Sequence, residues 1–156
     1  MDITGSTSFS TAEHDKPLTN GGPILLYDGT CGFCARSIQF VLRHERAGGT
    51  LRFARLEGDF GVALRKRHPR LASIDSLIWY EPATATAPER VLWQFRGVLR
   101  VARYLGGLWA ILGSLGMIVP RQVGDAAYAW IAKHRHALVA EACVVPTPAQ
   151  RRRFID

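Results

Sequence analysis

The sequence predicts an α/β fold: a sandwich around a central mixed β-sheet of about four strands, with a helical C-terminal extension. Short apolar or aromatic runs at 23–27, 50–56, 76–80 and 90–93 alternate with segments of helical periodicity. After Trp93 no strand pattern recurs, and the remainder reads as helix. With 156 residues the chain is long enough to bury a core without disulfide staples.

Residues 1–22 are rich in Ser, Thr, Gly and Asp and lack periodicity, which reads as a disordered tail; residues 23–156 are then expected to form a single domain. Pro23-Ile24-Leu25-Leu26-Tyr27 is continuously apolar, as a central strand covered on both faces is. A helix follows over about 32–46, with Phe33, Ser37, Phe40, Val41 and His44 at helical spacing and Gly48-Gly49 to stop it. In 50–56, Leu51, Phe53 and Arg55 alternate with Arg52 and Ala54, the period of a half-buried strand. A short basic helix over 61–68 ends before Pro69. Strands at 76–80 and 90–93 flank a Pro-, Thr- and Ala-rich loop that reads as a hairpin, and a helix over 94–104 follows.

The order strand–helix–strand–helix–strand–strand–helix is that of a thioredoxin-like sandwich. Residues 104–120 are seventeen consecutive uncharged residues, at the lower limit for crossing a bilayer. Four glycines and a serine interrupt them, so a buried or partner-facing helical hairpin is expected rather than a transmembrane segment; a membrane contact and an oligomer interface are the other readings. A helix over 121–136 and an Arg-rich end that wraps the surface complete the chain.

The chemistry lies where the first strand meets the first helix, in Asp28-Gly29-Thr30-Cys31-Gly32-Phe33-Cys34. A helix N-terminus leaves N–H groups unpaired and carries partial positive charge, so a thiol there is favoured as thiolate, the form that attacks disulfides. Two intervening residues let the second cysteine reach back and close a small ring.

The net charge of +7 is spread along the chain, and its clusters at 65–68, 134–136 and 151–153 carry no interleaved aromatics, so no specific nucleic-acid surface is expected. Three cysteines are too few for a disulfide scaffold, and the first residues have neither a basic start nor an apolar stretch. A reducing, cytoplasmic setting is the expectation, and there such a pair is catalytic or metal-binding rather than structural.

These residues resemble the DCC family of thiol-disulfide oxidoreductases, whose Asp-x-x-Cys-x-x-Cys signature matches Asp28, Cys31 and Cys34. The resemblance runs from about Ile24 to Phe154, through Leu51-Arg52-Phe53-Ala54, Asp75-Ser76, Val119-Pro120-Arg121, Tyr128, and Cys143 with Pro146. It implies a thioredoxin-like fold and a redox role, with protein or small-molecule disulfides and thiols as substrates and an external thiol as reductant. It names no client, and oligomeric state stays open. One thioredoxin feature is missing: no proline immediately precedes the third strand, where thioredoxins carry a cis-proline, and Pro69 lies too early.

At the pair, Cys31 is expected to be the exposed nucleophile and Cys34 the resolving thiol. Asp28 has two readings: an acid–base group serving Cys34, or a turn aspartate accepting backbone N–H bonds. Gly29 and Gly32 are expected to give backbone freedom and room for a partner, and Phe33 to shield the pair, contact substrate or simply pack. No cofactor is required. The rival chemistry is structural zinc, with Cys143 and His134 or His136 completing a site, although His-x-His on a helix points its rings apart. Cys143 otherwise reads as a packed thiol or a third redox group, and His14, His44 and His68 as surface or packing residues. A redox-inactive thioredoxin-like binding module, using residues 104–120 to hold a partner, is the second functional reading.

Overall fold

A computed structural model describes residues 22–138 and 147–155. Strands β1 (Ile24–Tyr27), β2 (Arg52–Arg55), β3 (Ile78–Glu81) and β4 (Arg90–Trp93) form one mixed sheet in the order β2-β1-β3-β4. β1 is parallel to β2, with Leu25 opposite Phe53, and antiparallel to β3, with Leu25 opposite Trp79. A parallel pair needs a crossover, which α1 (Gly32–His44) supplies; the antiparallel β3–β4 pair needs only a loop. α2 (Asp59–Arg67) and a single 3₁₀ turn, Pro69–Leu71, lead from β2 toward β3. This arrangement is the predicted α/β sandwich and is consistent with a thioredoxin-like fold.

Alternation along β1 feeds two cores, because the strand is covered on both faces. Leu25 and Tyr27 join Phe53, Trp79, Ile38 and Val41 on the side of α1. Ile24 and Leu26 join Ala54, Leu56, Leu64 and Ile78 on the side of α2. Two-sided cover also explains β2. Ala54 is buried, not solvent-facing, whereas Arg55 is exposed: by parity it keeps the face of Leu51 and Phe53 but emerges where the strand ends.

The expected stripe on α1 is corrected as well. The helix buries Cys34, Ala35, Ile38 and Val41, while Phe40 and His44 are exposed and stack on each other at 4.1 Å between ring centroids. α1 therefore has two working faces, one on the sheet and one turned to the helices that follow β4.

Gln94, at φ 53°, turns the chain from β4 directly into α3 (Gln94–Leu105). Gly106 and Gly107, at φ 75° and 55°, then fold it back into α4 (Gly107–Leu115), a conformation that favours glycine. At Gly113 a Cβ would lie 2.8 Å from the Leu99 carbonyl oxygen, so only glycine permits this approach of α4 to α3. α5 (Arg121–Leu138) and the single turn α6 (Pro148–Arg151) complete the described helices. The expected hairpin within 104–120 is corrected: that stretch supplies only the second arm, α4 and a 3₁₀ turn at Gly116–Ile118, which folds back on α3, and its outer side is open, with Leu108 67% and Ile118 79% exposed. No helix among the described residues is long and apolar enough to cross a membrane.

The Arg-rich end does more than wrap the surface. Phe53 N–H donates to the Arg153 carbonyl at 2.8 Å, and Ile155 N–H donates to the Phe53 carbonyl at 2.9 Å, so Phe154 forms a parallel bridge beside β2. Arg153 also donates to the Leu51 carbonyl and pairs with Glu45 at 2.5 Å, and Glu45 accepts the Tyr104 hydroxyl proton. Of the expected N-terminal tail, residues 1–22, all but Gly22 lie outside the described residues, as does Cys143.

Candidate active site

β1 ends at Tyr27 and α1 begins at Gly32, so the cysteine loop emerges from the end of a central strand. Cys31 is the N-cap of α1 and Cys34 its third helical residue. The separation of two Cα atoms three apart depends on the dihedrals of the residues between, here Gly32 and Phe33, both helical; that sets it at about 5 Å. A disulfide bridges Cα atoms roughly 4.4–6.8 Å apart, so the backbone needs no rearrangement to close this one. Both cysteines are present as thiols.

Exposure differs from the sequence-based expectation. Cys31 is 3% and Cys34 6% exposed, so the first cysteine is not the more open of the two. The Asp28-Gly29-Thr30 loop and the apolar cluster of Tyr27, Leu25 and Trp79 place both sulfurs in the core on the α1 side.

Asp28 shapes that loop. Its Oδ1 accepts the Thr30 N–H at 2.8 Å and the Thr30 hydroxyl at 2.7 Å, while its carbonyl accepts the Cys31 N–H at 3.3 Å. This is an Asx turn that delivers Cys31 to the helix start. Gly29 donates its N–H to Glu57 Oε2 at 3.3 Å, and a Cβ there would meet Arg55 Cδ at 3.0 Å. The space at Gly29 is thus filled by this chain's own Arg55 and Glu57, and neither Gly29 nor Gly32 adopts positive φ.

The antiparallel register brings Ser76, two residues before β3, to the end of the sheet where Asp28 leaves β1. Its hydroxyl is buried and makes no hydrogen bond. No peptide bond among the described residues is cis.

Phe33 and Cys34 open onto something the sequence reading missed. A cavity of about 390 Å³ lies between α1, α3, α4 and α5, walled by Phe33, Phe95, Val98, Trp109, Tyr128 and Ile131 among others, with Cys34 in its lining. The signal was present in Phe33, Ser37 and Phe40 at helical spacing, which all border this space. Their partners, from Leu77 to Ala132, are scattered over elements whose packing only the fold reveals.

Among the described residues no cluster of three His, Cys, Asp or Glu side chains is placed to hold a metal. His134 Nδ1 lies 2.8 Å from the Trp130 carbonyl oxygen of its own helix. Cys143 and the His136 side chain lie outside the described set.

With a dithiol at the start of a helix that leaves a central strand, comparison with known proteins becomes decisive. Residues 25–141 match the family described as DCC1-like thiol-disulfide oxidoreductase. The chain belongs to that family. As a DCC1-like chain it is 28% identical to the uncharacterized protein YuxK of Bacillus subtilis over 135 residues, covering 85% of this chain and 93% of that one. It is also 28% identical to a chloroplastic DCC family protein of Arabidopsis thaliana over 117 residues, covering 74% of this chain and 64% of that one. No solved structure matches the DCC1-like chain significantly.

Proposed function

We propose that this protein is a thiol-disulfide oxidoreductase that cycles between dithiol and disulfide at Cys31 and Cys34. The observation that carries the reading is the placement of Cys31 as N-cap and Cys34 in the first turn of α1, just after β1, at a Cα spacing that a disulfide can bridge. Family membership supports redox chemistry in general. Asp28 is proposed as a positioning residue that holds the loop through Thr30, not as a proton carrier. Gly29 and Gly32 shape the loop, and Phe33 forms part of the wall a substrate meets. Substrates are disulfides or thiols, with an external thiol restoring the dithiol. A reducing compartment such as the cytoplasm suits a Cys-x-x-Cys pair that acts catalytically rather than as a structural staple.

The test is turnover of bis(2-hydroxyethyl) disulfide with dithiothreitol as reductant. Wild-type protein accelerates it, and Cys31→Ser/Cys34→Ser does not. Equal rates for the two would leave a binding module in place of an enzyme.

A further inference from the structure

Resting on that redox reading, we propose that the cavity between α1, α3, α4 and α5 binds the organic group of a small, neutral, apolar disulfide. Cys34 is then the sulfur this substrate meets first.

The space is partly open, with Phe40, Val98 and Ile131 of its lining each more than a third exposed, and its volume of about 390 Å³ lies within the roughly 300–1,000 Å³ range of small-molecule sites. Phe33, Phe95 and Trp109 supply aromatic wall, while no charged side chain among the described residues lines it. The Ser37 hydroxyl, also in the lining, already donates to the Phe33 carbonyl at 2.9 Å. A disulfide bearing carboxylates or ammonium groups would leave those charges desolvated and unpaired. An aryl or branched alkyl disulfide would not.

The cavity also decides which sulfur acts first. Of the cysteines among the described residues only Cys34 lines it, and Cys31 is the more buried of the pair. The helix start acts on both, so access settles the order. The Cys34 thiolate attacks one sulfur of R–S–S–R′. That S–S bond breaks, R′–S⁻ leaves and takes up a proton, and Cys34–S–S–R forms with R in the cavity. The Cys31 thiolate then attacks Cys34 Sγ, and R–S⁻ leaves and is protonated. Two electrons have passed to the organic disulfide, and the Cys31–Cys34 disulfide is returned to dithiol by an external dithiol.

The probe is 4,4′-dithiodipyridine, an uncharged aromatic disulfide, compared with bis(2-hydroxyethyl) disulfide. In Ala127→Trp and Ala132→Trp, each filling the cavity from α5, the ratio of kcat/KM for the aromatic over the polar substrate falls roughly tenfold or more. Leu108→Ser, on the exposed side of α4, changes the ratio by less than about twofold. Cys31→Ser accumulates an aromatic adduct on Cys34 by mass spectrometry. An unchanged ratio in both tryptophan variants, or an adduct that forms on Cys31 in Cys34→Ser and never on Cys34, overturns the proposal.

Binding of the neutral fluorophore N-phenyl-1-naphthylamine to Cys31→Ser/Cys34→Ser, and its loss when Ala127→Trp is added, is read without any redox step. Turnover of the polar disulfide with no fluorophore binding defeats the cavity assignment and leaves the redox reading standing. Saturable binding with no turnover of either disulfide defeats the redox reading, and with it the role of Cys34.

Discussion

The sheet and the helical half after β4 are held by different means. In the sheet, Leu25, Leu26, Phe53, Ile78 and Trp79 are each at most 1% exposed, and hydrogen-bonded register fixes every strand. In the helical half, Leu108, Ile111, Ile118 and Trp130 are more than half exposed, and a cavity lies among α1, α3, α4 and α5 although Phe40 of α1 still meets Trp109 of α4 edge-on. The cysteines stand at the boundary: Cys31 packs toward the sheet side, and Cys34 faces both that core and the cavity. The buried sheet aims the two sulfurs, while the helical half carries the exposed apolar side chains beside them.

The sharpest way to break this contrast is to hollow each half in turn. Trp79→Ala removes the largest fully buried side chain and is expected to cost about 3–5 kcal/mol in urea unfolding. Ile111→Ser, 58% exposed on α4, is expected to stay within about 0.5 kcal/mol. Comparable losses would show that the outer face of α4 is packed in solution.

A smaller effect probes the join between α3 and α4. Gly113→Ala places a Cβ against the Leu99 carbonyl and the Ala102 side chain and is expected to cost about 1–3 kcal/mol in the same assay. A neutral result would mean the two helices separate freely.

The smallest effect is read by pH. Burial first, and then the hydrogen bond to Glu45, raise the Tyr104 pKa above its usual value near 10. The folded state therefore holds this proton more tightly than the unfolded chain. That stability is whole below about pH 10 and is lost as pH rises through the folded pKa. Tyr104→Phe should flatten part of the alkaline decline in urea midpoint; an unchanged decline would assign it elsewhere, with Tyr80, also raised by burial, the next group to replace.

Much of the sheet was legible because its signals are local. The unbroken apolar run of β1 announces cover on both faces, and 90–93 reads as a strand and is one. The position of Cys31 and Cys34 at a helix start was equally legible, since a strand, a turn and a periodic helix bracket them. Long-range features were not. Phe33, Phe40 and Val41 fit one helical stripe in sequence, and only the position of α3–α5 divides them between two faces. Arg55 has the parity of a core residue, but the end of the strand falls just before it could be covered. The low exposure of Cys31 is set by neighbours distant in sequence, Trp79 among them, so its place at the helix start could not announce it.

The bridge between Phe53 and Phe154 bears on solubility. β2 is an outer strand of the sheet, and an outer strand with bare amides invites pairing with another molecule. By taking both main-chain hydrogen bonds of Phe53, and by laying a guanidinium over its ring, the last residues of the chain act as a guard rail. A chain clipped before Thr147 would keep its cysteines and lose that guard, and its expected failure is self-association along β2.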